Sequence, residues 1–424
     1  MKGLFINKDI SLMLNYNGIP RWKNVKSTEF SNHIWQEANS VRNAHQLQEV
    51  LLDSTPPNML KEINKGLELA PMVSRATPYL ISLIDWDNWI NDPIRRQFIP
   101  IESEMEPDHP MSVLDPMGEQ KDSPTPGLVH RYPDKALFLV THVCPVYCRY
   151  CTRGYAIGTD TDTVSKQSLG PTRARIESVI RYLEKNSDIE DVVISGGDAF
   201  RLQPEVLTKV CSELLNIPHI RRIRIATKGL AVLPMKITSD HGWTNAIIDL
   251  ADQARRLLKQ FSIQTHFNHP KEITGYTTEA MKILFSAGVQ VRNQSVLLRR
   301  VNDSDEVMLT LIKMLSDINI QPYYVYVGDM TRGAEDLRTS LDVAISIEKS
   351  IRGRTAGYNI PTFVVDLPEG GGKRDVHSYE SYDRERGIAT FKSPVISNSR
   401  EYRYYDPISY LSKQGKSYWN FTAK

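Results

Sequence analysis

Three of the four cysteines in this chain fall in one short stretch, Thr141-His142-Val143-Cys144-Pro145-Val146-Tyr147-Cys148-Arg149-Tyr150-Cys151. A C-x3-C-x2-C spacing on a loop can aim three thiolates at one point, which suits an iron–sulfur cluster held by cysteine. Three thiolates on a four-iron cluster leave one iron without a protein ligand, and an open iron can bind and reduce a substrate. The spacing therefore speaks for chemistry rather than structural support. The blander readings are a structural zinc ion, which would want a fourth nitrogen or sulfur ligand and usually shows paired C-x2-C knuckles, or three unrelated core cysteines. Cys211 lies in Val206–Leu215 at helical spacing and reads as a buried packing residue.

Two more motifs follow apolar runs. Val192-Val193-Ile194 leads into Ser195-Gly196-Gly197-Asp198, where paired glycines let backbone approach a ligand closely. Alone, such a turn is ordinary. Val364-Val365-Asp366-Leu367-Pro368-Glu369 leads into Gly370-Gly371-Gly372-Lys373. A flexible surface loop with a solvated lysine is the common fate of such a run. It does not match the phosphate-binding G-x4-G-K-[ST] loop, because Arg374 follows the lysine. A buried lysine of lowered pKa can condense with a carbonyl.

The elements that must position these residues are legible in outline. Ala136–Val140, ahead of the cysteines, reads as a buried strand, as do Asp191–Ile194, Arg222–Ala226, Ser262–Phe267, Val289–Ser295, Tyr323–Val327 and Thr362–Val365. Between them lie amphipathic stretches at helical spacing, Arg173–Lys185, Pro204–Leu215, Thr244–Lys259, Thr278–Ala287, Ser304–Ile318 and Leu341–Arg352. Such alternation predicts an α/β fold with a parallel sheet, open or curled into a full or partial barrel. The cysteine loop would sit at the C-terminal strand ends, where barrel enzymes keep their sites. We divide the chain into an N-terminal helical region over 1–98, a proline-rich connector over 99–135, a barrel over 136–371 and a polar, tyrosine-rich tail over 372–424 that is a candidate oligomer contact.

Basic and acidic residues, 52 and 50, nearly balance at net +2, which gives no reason to expect nucleic acid or an acidic membrane surface as partner. No apolar run approaches a membrane span, and the N-terminus lacks a signal peptide's apolar segment. Four cysteines, three of them clustered, fit a reducing cytoplasm better than a disulfide framework. A cytoplasmic protein is expected.

The cysteine spacing, with Tyr147 inside it, resembles the radical S-adenosyl-L-methionine (SAM) enzymes, in which SAM chelates the fourth iron of a 4Fe-4S cluster. That resemblance implies Cys144, Cys148 and Cys151 as cluster ligands and Ser195, Gly196, Gly197 and Asp198 as a turn contacting SAM. With a radical SAM cluster, Gly370–Lys373 resembles the pyridoxal 5'-phosphate (PLP) lysine of the lysine 2,3-aminomutase family, and Lys373 would be the Schiff-base residue. The resemblance runs from about Trp35 to Pro394, through Thr77-Pro78-Tyr79, Asp92-Pro93-Ile94-Arg95, Asp115-Pro116, Asp122-Ser123-Pro124, His130-Arg131-Tyr132-Pro133-Asp134, Thr265-His266-Phe267-Asn268 and Asn293-Gln294-Ser295. It implies a partial (β/α)6, TIM-like radical SAM barrel. Arg131, Tyr132 and Lys135 would lie near PLP, and His266 and Gln294 near SAM.

The family's activity is an isomerisation that moves an α-amino group from C2 to C3 to give a β-amino acid. Arg153 matches the arginine that holds the substrate carboxylate, and Asp329 and Asp366 match the aspartates that hold the distal ammonium of lysine. A free cationic amino acid is implied, lysine first and arginine second, with a one-electron reductant such as flavodoxin or ferredoxin and a homo-oligomeric assembly. Several residues depart from the lysine pattern: Gly154-Tyr155 where arginines are usual, Glu369 where glycine is usual, Gly328 before Asp329, and the nearby acids Glu335-Asp336. No cysteine follows Cys211, which argues against a zinc-tied oligomer. The rival readings are a radical SAM enzyme acting on a protein lysine and a non-catalytic iron–sulfur electron carrier, which would normally supply a fourth cysteine.

Overall fold

A computed structural model describes residues 14–52, 55–56, 58–167, 169–170 and 172–422. Residues 1–13 of the expected N-terminal region lie outside that range. Nine strands form one sheet in sequential order: β1 (Leu128–Tyr132), β2 (Lys135–Thr141), β3 (Asp191–Gly196), β4 (Arg222–Ala226), β5 (Gln260–Thr265), β6 (Gln290–Leu297), β7 (Gln321–Val327), β8 (Thr362–Leu367) and β9 (Gly372–Asp375). Strands β2 to β8 are parallel, while β1 and β9 pair antiparallel at the two edges. Helical crossovers between consecutive parallel strands make this a partial, TIM-like α/β barrel left open between its edges, the predicted fold class.

Side chains along the parallel strands alternate between two environments, as a pleated strand requires. In β3 and β4, Val192, Ile194, Ile223 and Ile225 are buried in the core shared with the helices. Their neighbours Asp191, Val193, Ser195, Arg224 and Ala226 face the concave side. The helix Arg173–Lys185 answers with Ile176, Val179, Ile180 and Leu183, the i, i+3, i+4, i+7 stripe of an amphipathic helix, and starts at Thr172, whose hydroxyl caps Arg175 N. Leu183 is fully buried, so Leu183→Ala would cost about 2–5 kcal/mol.

The N-terminal region is helical in short pieces rather than long ones. Asn32 and Asn43 each cap a new start, giving helices at Ser27–Phe30, His33–Ala38 and Ala44–Leu51. Met59–Leu69, Pro78–Leu83 and Pro93–Phe98 follow. The connector is mostly irregular, as its prolines suggest, yet it ends in edge strand β1.

The C-terminal segment has more order than its polar composition suggested. It contributes β9 to the main sheet and then an antiparallel sheet of β10 (Ser381–Asp383), β11 (Ile388–Ser393) and β12 (Ser397–Tyr405). This small sheet packs on the barrel: Tyr404 OH donates to Gly328 O at 2.9 Å, and Leu341 N donates to Asp406 Oδ1 at 2.8 Å.

Candidate active site

The concave face of the sheet, from Lys135 at the start of β2 to the loops beyond the strands' C-terminal ends, encloses a cavity of about 690 Å³, lined by Cys144, Cys148, Cys151, Ser195, Gly196, Gly197, Asp198, Arg131, Tyr132, Lys135, Arg153, His266, Gln294, Asp329, Asp366 and Lys373. Every candidate site residue read from the sequence is therefore on one wall or another of the same space.

The cysteine loop leaves β2 and folds back against the end of β3. Gly197 N donates to Thr141 O at 2.6 Å and Asp198 N to Val143 O at 3.1 Å. Gly196 has φ +115°, and a Cβ there would stand 2.1 Å from Thr141 O. The paired glycines thus admit the cysteine loop itself, a closer constraint than the ligand approach expected of them. The Asp198 carboxylate is committed to the fold, accepting from Phe200 N and Lys228 N at 2.8 Å each. With the Gly197 and Asp198 N–H groups also taken, the turn is left with Ser195 and glycine carbonyl oxygens to offer a ligand.

Burial pushes all three cluster-loop thiols up, Cys148 to about 12. Without a cation they stay protonated, and a cationic iron cluster would supply the missing charge. Among the described residues no three ligating side chains converge closely enough for a single metal ion. All three thiols line the same cavity. The loop is braced from outside by Arg149, which grips Asp336 through Nη1 at 3.1 Å and Nη2 at 2.8 Å with both residues buried. His266 Nδ1 donates to Gln294 O at 2.6 Å, and Nε2 meets Tyr150 OH at 3.1 Å. Burial and Lys228 push it down to about 3, so it is neutral.

Lys373 stands on edge strand β9, directly opposite Asp366 on β8, rather than on the loop expected from its glycines. Its Nζ lies 2.9 Å from Asp366 Oδ2 and within 6.0 Å of the Tyr132 and Tyr326 ring centres. Burial alone would lower its pKa, but Asp366, Tyr326 and Tyr132 hold it well above the ordinary lysine value. This reverses the expected direction: beside Asp366 the lysine is held as an ammonium. Gly372 has φ +78°, and a Cβ would lie 2.6 Å from Tyr132 OH, so only glycine brings the lysine strand against Tyr132.

The acids outnumber that cation. Asp366 Oδ1 is buried without a partner. Burial and the Asp366 charge push Asp329 up to about 8. Arg131 is tied to Asp122 Oδ2 at 2.8 Å and to Met117 O, and Lys135 pairs with Asp134 at 2.6 Å over the Tyr132 ring. Arg153 Nε and Nη2 each donate to Glu119 at 2.8 Å, and Tyr155 OH donates to Glu119 Oε2 at 3.0 Å. Glu119 was missed in the sequence, where nothing local distinguishes an acid in a proline-rich connector.

Two of the suspected specificity features lie elsewhere. Glu369 points outward and pairs with Arg400, adding no carboxylate beside Lys373. Glu335 and Asp336 are buried against Arg338 and Arg149, so neither offers free negative charge. Gly328 does abut the cavity, but a Cβ there would meet Arg338 Cγ at 3.4 Å, so the space beside it belongs to the chain's own arginine.

Comparison with known proteins points one way. Residues 347–409 match the sequence profile of a family described as Lysine-2,3-aminomutase. An L-lysine 2,3-aminomutase of Clostridium subterminale is 37% identical over 388 residues, covering 88% of this chain and 87% of its own. One of Bacillus subtilis is 35% identical over 412 residues, covering 96% of this chain and 80% of its own. A glutamate 2,3-aminomutase of Clostridioides difficile is 34% identical over 354 residues, covering 82% and 77%.

Proposed function

The chain belongs to the lysine 2,3-aminomutase family, and on that footing we propose that it is an isomerase using a 4Fe-4S cluster, SAM and PLP to move the α-amino group of free L-lysine from C2 to C3. When bound, the cluster with SAM supplies one-electron chemistry and hydrogen abstraction, and PLP supplies the conjugation over which nitrogen migrates. Cys144, Cys148 and Cys151 would hold the cluster. Ser195, the peptides of Gly196, Gly197 and Asp198, and the neutral pair His266 and Gln294 would line the SAM side. Lys373 would anchor PLP against Tyr132, with Arg131 and Lys135 as the cations for its phosphate.

The observation that carries the substrate reading is the surplus of acid beside Lys373. Two carboxylates, Asp329 and Asp366, share one ammonium, and one Asp366 oxygen is buried without a partner. A carbonyl held by Lys373 Nζ would draw that nitrogen from its 2.9 Å contact with Asp366, whose carboxylate could then accept from another cation. A substrate ammonium arriving there would also favour the ionised form of Asp329, which then releases its proton. A side-chain carboxylate arriving instead would add a third acid. Arg153 would hold the α-carboxylate, placing the amino acid between a cation at one end and acids at the other. A one-electron reductant such as flavodoxin or ferredoxin completes the cycle, and a cytoplasmic, homo-oligomeric enzyme is the setting we infer. Among the described residues no helix is long and apolar enough to cross a membrane.

The test is anaerobic incubation of the reconstituted, reduced enzyme with SAM, PLP and an equimolar mixture of lysine, arginine, ornithine and glutamate, with products identified by mass spectrometry. β-Lysine is expected. β-Arginine would keep the chemistry and move the specificity. SAM cleavage without any β-amino acid would overturn the reading.

A further inference from the structure

An arginine side chain has five N–H groups, and the way a neighbour uses some of them decides how the rest are presented. At Arg153, Glu119 takes Nε and one proton of Nη2, both at 2.8 Å. Three N–H groups remain, and two of them, one on each Nη, form the end-on fork that meets a carboxylate bidentately. Glu119 thereby removes the rotational freedom that would let the guanidinium offer its side edge instead.

Each member of this group is anchored on a different segment. Glu119 N is held by Asp115 Oδ1 at 2.9 Å, after Gly118 at φ +64°. Tyr155 is buried and its carbonyl accepts from Gln167 N at 2.8 Å, so its hydroxyl reaches Glu119 from a fixed ring. Arg153 O accepts from Ala156 N and Ile157 N at 2.9 and 3.0 Å, in the turn that follows Cys151. Glu119 and Arg153 both line the cavity. The same connector loop also holds Arg131 through Asp122, so one strap orients both arginines that face anionic groups.

We propose that Glu119, steadied by Tyr155, is a positioning residue that sets Arg153 end-on to the α-carboxylate of the substrate. This rests on the reading of Arg153 as the carboxylate-holding residue. The alternative is that Glu119 only neutralises a buried arginine. The two differ in sign: loss of a mere neutralising acid strengthens the pull on a carboxylate, whereas loss of a positioning acid weakens discrimination.

The experiment is calorimetric titration of the unreduced, fully loaded enzyme with lysine and with lysinamide, which keeps both amines but lacks the carboxylate charge. The readout is the ratio of the two dissociation constants, and the wild type should favour lysine by about tenfold or more. Glu119→Ala should bring that ratio close to unity, and Tyr155→Phe, which preserves charge and bulk, should lower it roughly threefold. A ratio that rises in Glu119→Ala, or stays at the wild-type value in Tyr155→Phe, overturns the proposal. Should Glu119→Ala fail to fold, Tyr155→Phe decides alone. Arg153→Met is the separate control: if it keeps the wild-type ratio, the reading of Arg153 itself fails, whatever Glu119 does.

Discussion

The cysteine wall and the lysine wall of this cavity are built on opposite plans. At the cysteine wall three half-buried thiols come from a single loop, and loss of solvent pushes them toward the protonated state against the pull of Arg153, Lys166 and Lys228. At the lysine wall the cations already have acids: Lys373 with Asp366, Arg131 with Asp122, Arg153 with Glu119 and Lys135 with its neighbour Asp134. One wall waits for charge to arrive, and the other must let charge go before a ligand can enter. A site that combines an iron cluster with a charged substrate needs both, because the cluster brings its own positive charge and the substrate exchanges partners with the protein.

The largest effects should separate the walls cleanly. Cys144→Ala should lower turnover roughly 10³-fold or more, the scale of losing one member of a group that acts as a unit. It should leave the absorbance of lysine-bound PLP in place. Lys373→Ala should do the converse, losing turnover and the PLP band while retaining the iron–sulfur spectrum. If Lys373→Ala stays active, the lysine assignment is wrong and the contrast between the walls loses its meaning.

Asp366→Asn comes next. Removing one partner of a buried charge pair costs about 2–5 kcal/mol, so kcat/KM for lysine should fall on the order of 10²-fold. Burial, now unopposed by Asp366, would pull the Lys373 ammonium down. PLP should therefore load at lower pH than in the wild type, measured as the midpoint of its absorbance change. A midpoint that rises or stays put would show that Asp366 does not govern this lysine.

Asp329 gives a smaller effect with a definite sign. In the unfolded chain it ionises near 3.8, but in the folded protein only near 8. Between those values the folded state holds the extra proton, so this residue's contribution to stability falls as pH rises and levels off above the upper value. Asp329→Asn removes that slope, so its unfolding midpoint relative to wild type should climb from about pH 5 to about pH 8 and then run flat. In the wild type, lysine affinity should improve with pH over the upper part of the same window, by at most about tenfold per unit. The variant should lack that dependence.

How far the sequence alone could reach follows the same division. Cys144, Cys148 and Cys151 stood out because the three and the strand before them are contiguous, and the parallel strands because their apolar runs recur between amphipathic helices. Lys373 was legible as a residue but not in its place, since Gly370–Gly372 reads as a loop and the pairing of β9 with β8 is a tertiary event. Its pKa was expected low for the same reason: burial is visible in a sequence, a facing Asp366 is not. Glu335 and Asp336 looked like free acid because their arginines, Arg338 and Arg149, reach them only in the fold. Glu119 was silent because its partners lie 34 and 36 residues away. Strands β10 to β12 escaped notice because short, tyrosine-rich strands carry no clean alternation.

Glu369 offers the finest distinction between the walls and the surface beside them. It occupies a position with φ +57° and ψ 25°, a left-handed conformation that costs a residue with a Cβ roughly 1 kcal/mol and glycine nothing. Its exposed ion pair with Arg400 returns about 0–1 kcal/mol. The two terms nearly cancel, so Glu369→Gly should shift the unfolding free energy by less than about 1 kcal/mol, toward stabilisation. Because the carboxylate points away from Lys373, the ratio of kcat/KM for lysine to that for arginine should not move. A change in that ratio of more than about threefold would place Glu369 in the lysine wall after all, and the pairing of each cation there with its own acid would no longer describe it.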